Sequence, residues 1–332
     1  MAFWLAVTMA LAYALTTGFH NAANANAALV ITRVARPKQA MVLTSVFTVL
    51  GPLVGGAAVA SSVSKIVTVD PTATVAVLGA GLTGATVWHA VTWKYGIPSS
   101  AGHALIGGLV GAAVLEGGWE AVYWGGLDGW KPVGALGFLL ALTISPVLGF
   151  GIGFLIDRTF RFALHRATRR VERPIRGAEW VTSASIAFAN GSNDAAKATG
   201  IIAALLVASG RAASFTVPLW TRGATGLVLT AGTVVGGWAI VRTIGRRIYG
   251  IRPLDGLAAQ GTSTAVVVAS SLVGAPVSTS QVLASSVVGI GVSRRRFRHV
   301  NWRIVVTIGL TWVTTLPASA AIAAVTLPVW RA

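Results

Sequence analysis

Cysteine is absent from the 332 residues, and acidic residues are scarce, with nine Asp and Glu against 26 Lys and Arg. Without cysteine the chain can form no disulfide framework, no thiolate nucleophile and no cysteine metal site. The net charge of +17 would indicate nucleic acid in a soluble protein. Here the arginines cluster in short loops between apolar runs, which is typical of charge that sets membrane orientation, so we expect no nucleic-acid partner.

The composition is that of a membrane protein. Hydrophobic residues make up 54% of the chain, charged residues only 11%, and the mean hydropathy is +0.73. Apolar runs near twenty residues recur, and the 39 glycines suit close approach of membrane helices. We therefore expect an all-α, polytopic protein of the plasma or inner membrane, embedded in the lipid bilayer.

The apolar pattern predicts about five membrane segments on each side of a hydrophilic centre. The predicted spans are 2–33, 39–60, 71–93, 97–115, 133–156, 178–209, 223–241, 257–273, 277–292 and 304–327. Of these, the first and the sixth contain a polar interruption. This division predicts a first membrane repeat over 1–156, a basic cytoplasmic loop over 157–177 and a second membrane repeat over 178–332.

The basic loops predict opposite orientations for the two halves. Arginine and lysine concentrate in the segments 33–38, 157–179, 242–252 and 294–303, whereas the loop 116–131 is mainly acidic. Placing every basic loop in the cytoplasm makes the first span run inward and the span 178–209 run outward. All ten spans obey this alternation.

Two short motifs recur in both halves. HNAANA (20–25) matches NDAAKA (193–198), and GIPSSAGH (96–103) matches GAPVSTSQ (274–281), in the same order. Such matches within apolar runs are typical of a secondary transporter with two inverted-topology repeats. In that architecture, broken helices or re-entrant helix starts meet near the midplane.

One pair of opposite charges lies well inside an apolar run. Asp194 and Lys197 are three residues apart, so they share a helix face, and burying either charge costs several kcal/mol. Asn193 follows Ser192 beside the pair, and the other repeat adds Asn21 and Asn24, both amides that need partners when buried. We interpret this group as an ion or substrate site, with a structural ion pair as the alternative.

Serine-rich segments begin the fourth and ninth spans. Ser99 and Ser100 follow Pro98, while Ser278, Thr279 and Ser280 follow Pro276. A helix start with hydroxyl caps leaves free N–H groups and a positive dipole end. One such start is an ordinary cap, but two related starts beside polar motifs indicate a cradle for a tetrahedral oxyanion.

The five histidines show neither metal-ligand spacing nor paired carboxylates, so we expect no enzyme, no cofactor and no metal site. His20 and His103 adjoin the two motifs. They could serve as proton relays together with Asp194, or they could simply pack at helix starts.

The motifs resemble the PiT family of inorganic phosphate transporters. The similar stretches are GFHNAANANAALVITR (18–33), YGIPSSAGHALIGGLVGA (95–112), NGSNDAAKATGII (190–202), GTVVGGWAIVRTIGRRIYGIRPLDGLAAQGTSTA (232–265) and GAPVSTSQVLASSVVGIGVSRR (274–295). The resemblance implies substrate and ion contacts in both motifs and both helix starts. Those contacts are Asn21, Asn24, Ser99, Ser100, Asn193, Asp194, Lys197, Ser278, Thr279 and Ser280.

Several positions depart from the family pattern. Asn21 stands where the family usually has Asp, Gln260 where many members have Glu, and Gln281 in a His position. Lys197 stands in place of a second Asn, and this feature is similar to the bacterial, proton-driven, low-affinity branch rather than to the sodium-driven one. The resemblance therefore implies proton-coupled import of inorganic phosphate, either free or as a divalent metal–phosphate complex.

Other functions stay open at this point. They are sodium-coupled phosphate symport, transport of sulfate or another tetrahedral oxyanion, and a channel or lipid-embedded scaffold. A homo-oligomer is also open. Asp194 favours phosphate, because an ionised carboxylate accepts a hydrogen bond from protonated phosphate and repels sulfate.

Overall fold

The computed structural model describes residues 1–332 apart from 56, 130, 169–170, 237–251, 295–296 and 298–299. The first half contains α1 (Ala2–Ile31), α2 (Pro37–Val54), α3 (Ala58–Ser64), α4 (Pro71–Lys94), α5 (Ala101–Gly117) and α6 (Gly134–Ala163). A 3-10 turn (Trp119–Ala121) and an antiparallel hairpin of β1 (Gly126–Asp128) and β2 (Lys131–Val133) lie between α5 and α6. The second half contains α7 (Glu172–Ala208), α8 (Leu219–Gly236), α9 (Pro253–Leu272), α10 (Thr279–Ser293) and α11 (Trp302–Arg331).

The two halves interlock by exchanging partners. Helix α1 packs on α8, and its counterpart α7 packs on α2; likewise α5 packs on α11, and α10 packs on α6. Each of these helices therefore packs on a helix of the other half, and every such contact occurs twice, with the roles of the two halves exchanged. This is the packing of two structural repeats related by an approximate two-fold axis. The main apolar core lies where α1, α4, α5 and α7 meet, with Tyr13, Leu82, Leu105 and Ile201 fully buried.

The same turn between two helices occurs in each repeat. Gly96 and Gly274 adopt φ of 64° and 74°, a region that glycine enters without a steric penalty. Ile97 donates its N–H to Thr92 O at 3.0 Å, and Ala275 donates to Ser270 O at 2.9 Å. These are the same C-terminal caps of α4 and α9, and the next helices begin at equivalent residues a few positions later. Both short helices therefore start inside the protein.

Glycine also allows the exchanged helices to touch. Gly18 of α1 lies against Gly232 of α8, and Gly191 of α7 lies against Gly51 of α2. A Cβ at any of the four would overlap backbone atoms of the partner helix. This close approach brings the polar segments of α1 and α7, which follow Gly18 and Gly191 directly, to the centre of the molecule.

Four helices of the described part, α1, α4, α6 and α11, are long and apolar enough to cross a membrane. The predicted span 39–60 is instead a bent pair, α2 and α3, which meet at 71° and qualify together as a fifth crossing. Helices α5 and α10 have only 17 and 15 residues. At about 1.5 Å per residue they cover roughly 25 and 22 Å, less than the ~30 Å hydrocarbon thickness.

Two boundaries differ from those in the sequence pattern. The polar motifs interrupt the apolar runs but not the helices, since α1 and α7 are continuous. Helix α6 extends to Ala163 and α7 begins at Glu172, so much of the predicted loop 157–177 is helical. Several arginines of the predicted basic loops lie outside the described residues, among them Arg242, Arg246, Arg247, Arg295, Arg296 and Arg298.

Candidate functional site

The two repeated motifs meet at Asn21 and Asp194. Asn21 Nδ2 donates to Asp194 Oδ2 at 2.8 Å, and both side chains are buried. The two residues are 173 positions apart, which is the offset between the motifs, so they occupy equivalent places in the two repeats. A residue contacts its own equivalent only near the axis that relates them. This pair therefore marks the centre of the site.

Among the described residues, three side chains donate to Asp194. Lys197 Nζ donates to Oδ1 at 2.6 Å, and Thr279 Oγ1 donates to Oδ2 at 3.1 Å, beside the bond from Asn21. Asn24 Nδ2 reaches Asn21 Oδ1 at 3.3 Å and Thr279 Oγ1 at 3.2 Å. Charge-assisted bonds of this kind compensate the desolvation of a buried carboxylate. The cluster thus joins α1, α7 and the start of α10.

Lys197 is fully buried and still has unused donor capacity. Its ammonium donates to Asp194 and, at 2.8 Å, to the carbonyl of Val277 just before α10. An ammonium carries three N–H donors, and the third has no acceptor in the described part of the chain. The acceptor is a backbone carbonyl, which every residue type has, so no sequence pattern could have predicted this contact.

The starts of α5 and α10 meet beside this cluster. Ser280 Oγ donates to Ser99 O at 3.2 Å, and Ser278 Oγ lies 3.3 Å from Ser280 Oγ. Ser100 caps α5 by accepting from His103 N at 3.2 Å. Pro98 and Pro276 each precede the capping residue by two positions, so neither proline lies in the first helical turn.

Two helix N-termini therefore point their positive ends at one place. Apart from the His103 N–H, first-turn amides lack intrahelical acceptors by geometry, and each dipole end carries roughly half a positive charge. Lys197 adds a full charge. Together with the serine and threonine hydroxyls, this is the donor-rich, positive environment that binds an oxyanion.

The two predicted relay histidines occupy different surroundings. His103 Nδ1 lies 2.8 Å from Ser100 Oγ and 3.3 Å from Gln281 Nε2, so it belongs to the helix tips. His20 instead bonds Thr16 O and Thr92 Oγ1, and its ring lies 4.9 Å from the ring of His89. His20 has no hydrogen bond to the Asp194 cluster among the described residues.

Asn193 and Gln260 lie at the edge of the cluster. Asn193 Nδ2 donates to Ser271 Oγ at 3.0 Å rather than to a site residue. Gln260 accepts from Ser183 at 2.8 Å and donates to Ala25 O at 3.0 Å, which ties α9 to α7 and α1. In the described part of the chain, the amide oxygens of Asn24, Asn193 and Gln281 are buried without a donor.

Three further carboxylates are buried, contrary to the sequence pattern that placed only Asp194 inside. Asp157 and Glu179 are fully buried and Asp255 is 2% exposed. Asp157 accepts from Arg294 at 3.0 Å and from Ser293 at 3.0 Å, and Arg294 also pairs with Asp255. All three lie near predicted span ends, where acids are usually solvated, so no local signal announced their burial.

Comparisons with known proteins agree with this architecture. Two overlapping segments of the chain, 17–173 and 163–323, match the phosphate transporter family. A probable low-affinity inorganic phosphate transporter of Bacillus subtilis (strain 168) is 35% identical over 327 residues, 97% of this chain and 95% of the relative. One of the same description from Rhizobium meliloti (strain 1021) is 35% identical over 321 residues, 96% and 93% of the two chains.

A solved structure described as the sodium-dependent phosphate transporter shares the fold. Its TM-score is 0.87 at 22% sequence identity, covering 99% of this chain and 98% of that one. The family match spans most of the chain, and the relatives align over nearly their whole length. This multi-pass membrane protein therefore belongs to the phosphate transporter family.

Proposed function

We propose that the protein is a secondary transporter, not an enzyme, that imports inorganic phosphate across the plasma membrane together with protons. The observation that carries this proposal is Asp194, held by Asn21, Lys197 and Thr279 beside two converging helix N-termini. The group combines donors for an anion with one carboxylate that can take up a proton.

The donor set favours phosphate over sulfate. Lys197, Asn21, Asn24 and the hydroxyls at the starts of α5 and α10 supply hydrogen bonds to anionic oxygens. Near neutral pH phosphate keeps a proton and can donate a hydrogen bond to Asp194, whose carbonyl oxygen still accepts when the carboxyl group is protonated, whereas sulfate can only accept. A buried acceptor left unpaired by the wrong ligand discriminates strongly against that ligand.

Asp194 also offers a mechanism of coupling. In its ionised form the carboxylate engages Asn21, Lys197 and Thr279 itself. A proton on Asp194 removes the charge that holds these donors, so they can turn to an incoming phosphate. Loss of that proton on the inner side returns the donors to Asp194 and releases the anion, so proton and phosphate move together.

Sodium coupling is the second candidate, and one observation favours it. The buried amide oxygens of Asn24, Asn193 and Gln281 lack donors in the described residues, and oxygen atoms are the ligands of hard cations. The structural neighbour is described as sodium-dependent. Against sodium, the direct cluster contains one carboxylate, and Lys197 cancels much of its charge.

Purified protein in liposomes separates these candidates. We expect an inward pH gradient to drive accumulation of labelled phosphate without sodium, and labelled sulfate to remain at background. Accumulation that requires a sodium gradient and survives collapse of the pH gradient would contradict proton coupling. Equal uptake of sulfate would contradict the substrate assignment.

A metal–phosphate complex is the third question of the same assay. A divalent cation would neutralise the charge of phosphate before it enters the apolar centre. If the complex is the substrate, chelating divalent cations abolishes uptake, and labelled metal enters with the labelled phosphate. If free phosphate is the substrate, chelation leaves its uptake unchanged.

We also propose that the segment 157–177 is cytoplasmic and that the loop 116–131 is external. The chain has no cysteine, so single cysteines report sidedness directly. Thr168 and Glu120 are exposed, which makes Thr168→Cys and Glu120→Cys suitable probes. An impermeant thiol reagent applied to intact cells should label only Glu120→Cys. Labelling of Thr168→Cys from outside would contradict this orientation.

A further inference from the structure

The helix starts are joined by a second pair of equivalent residues, His103 and Gln281. They are 178 positions apart, the offset between the two helix-start motifs, and His103 Nδ1 lies 3.3 Å from Gln281 Nε2. His103 is 8% exposed and Gln281 is 1% exposed. Like Asn21 and Asp194, these residues meet near the axis that relates the repeats. The pair therefore sits where α5 and α10 touch.

The hydrogen-bond roles at this contact follow from the atoms. An amide nitrogen can only donate, so Nδ1 of His103 accepts from Gln281 and the neutral ring carries its proton on Nε2. The other end of the amide, Gln281 Oε1, is buried without a donor in the described part of the chain. A buried acceptor without a donor has a free-energy cost. While His103 is neutral, the nitrogen of the Gln281 amide therefore has a hydrogen-bond partner, but its oxygen has none among the described residues.

A proton added at Nδ1 reverses the roles. The ring becomes a donor, the bond from Gln281 Nε2 is lost, and a half-turn of the amide presents Oε1 as the new acceptor. That turn also gives Oε1 its missing partner. Nδ1 then carries one hydrogen, so Ser100 Oγ, 2.8 Å away, shares it with Oε1 as a second acceptor. When the ring is neutral, the same hydroxyl is a second donor to the one lone pair of Nδ1.

We propose that Gln281 is a positioning residue that couples the protonation of His103 to the contact between the starts of α5 and α10. The proposal rests on proton-coupled phosphate transport as proposed above. His103 then carries a proton while the helix starts hold the anion, and Gln281 supplies a bond in both protonation states. Ser280, the residue before Gln281, joins the same two helix starts, because its hydroxyl donates to Ser99 O.

The charges around His103 make its protonation depend on the substrate. Lys197 on α7, which donates to the carbonyl of Val277 just before α10, and its partner Asp194 are the charged groups that face the helix starts. The other titratable side chains nearby are Tyr13 and His20 of α1 and His89 of α4. The facing parts of α6, α10 and α11 contain no titratable residue. A bound phosphate anion therefore supplies the negative charge that favours a proton on His103.

Two nearly isosteric substitutions test the idea by opposite effects. Phosphate exchange is measured in liposomes at equal pH on both sides, over a range of pH. Exchange should fall at alkaline pH, where His103 loses its proton. Gln281→Glu places a carboxylate beside the ring and should raise the pH of this fall by about 1–2 units. Gln281→Met removes the acceptor of the protonated ring and should move the same fall downward by roughly one unit.

The controls are Gln39→Glu and Gln39→Met, since Gln39 is exposed and caps only the start of α2. Both controls should keep the wild-type profile. Profiles of the two Gln281 variants that coincide with wild type, or move in one direction together, would overturn the inference.

A second measurement does not depend on the Gln281 variants. With a pH-sensitive dye inside the liposomes, His103→Gln should lower the number of protons taken up per phosphate. An unchanged ratio would also overturn the inference. Wild-type protein that exchanges phosphate but ignores a pH gradient would reveal failure of proton coupling itself, which removes the inference with it.

Discussion

The two repeats share one backbone plan but divide the chemistry of the site unequally. The first repeat contributes amides, Asn21 and Asn24, whereas the second contributes the charges of Asp194 and Lys197. Identical acids at the axis would face each other and repel. An amide opposite a carboxylate instead gives a donor and an acceptor. Divergence between equivalent positions thus provides complementarity that a symmetric pair lacks.

The far ends of the short helices differ in another way. Glu116 ends α5 and pairs with Arg331 of α11 at 2.6 Å, and the arginine is 48% exposed. Its equivalent, Arg294 at the end of α10, pairs with the buried Asp157 and Asp255. One end is fastened by a buried network and the other by a solvent-accessible pair. We expect the buried end to hold α10 in place much more firmly than α5 is held.

The largest effect is expected from removing the charge at the centre. Asp194→Asn deletes the proton acceptor and leaves Lys197 without its counter-charge, so accumulation of labelled phosphate should fall to background. Losing one partner of a buried pair costs roughly 3–5 kcal/mol, so folding is checked by size-exclusion chromatography. Asp128→Asn, in the exposed hairpin, is the matched control. A folded Asp194→Asn protein with normal accumulation would remove Asp194 from the mechanism.

The next effect concerns the buried end of α10. Asp157→Asn leaves Arg161 and Arg294 without the carboxylate they share, so the free energy of unfolding should drop by about 3–5 kcal/mol. Denaturant unfolding in detergent measures the change. A loss below about 1 kcal/mol would show that the network is solvated and the comparison of the two ends wrong.

Making the axis symmetric should weaken binding without abolishing it. Asn21→Asp replaces a donor to Asp194 with a second acid, which should cost about 1–3 kcal/mol. That cost corresponds to a rise of roughly fivefold to 150-fold in KM for phosphate. The rise should be smaller at pH 6 than at pH 8, because a proton on the new acid restores the donor. A KM equal to wild type at both pH values would contradict a binding role for the pair.

The smallest effect is expected at the exposed end of α5. Glu116→Gln breaks only the pair with Arg331, and exposed pairs contribute about 0–1 kcal/mol. Unfolding of this variant, measured beside Asp157→Asn in the same detergent, should be nearly that of wild type. A loss as large as that of Asp157→Asn would show that the two ends are equally fastened.

Much of the fold follows from patterns in the sequence. Hydropathy and motif recurrence predicted a helical membrane protein with two repeats, and the resemblance to the PiT family is confirmed by the family match. The predicted span 39–60 consists of two helices, because the chain bends by 71° between α2 and α3. Its apolar run continues through the bend, so hydropathy alone could not reveal it.

The site residues divide in the same way. Asn21, Asn24, Asp194, Lys197 and Thr279 form one bonded cluster, as an unusual polar group in apolar runs indicates. Their role in binding stays a prediction. His20 lies apart with Thr16 and His89, and its equivalent in the second motif, Asn193, likewise bonds outside the cluster. Side-chain direction on a helix decides this separation, and a motif match does not report direction.

The sequence by itself determined what each segment is, because hydropathy, prolines and motif recurrence act locally along the chain. It marked the helices, the two repeats and the polar residues that cannot face lipid. Only the tertiary structure decided which residues meet. Asn21 reaches Asp194 and His103 reaches Gln281 across more than 170 residues, and Asp157 becomes buried beneath Arg294. Such contacts depend on how two separately encoded halves pack about a shared axis, and no short stretch of sequence contains that information.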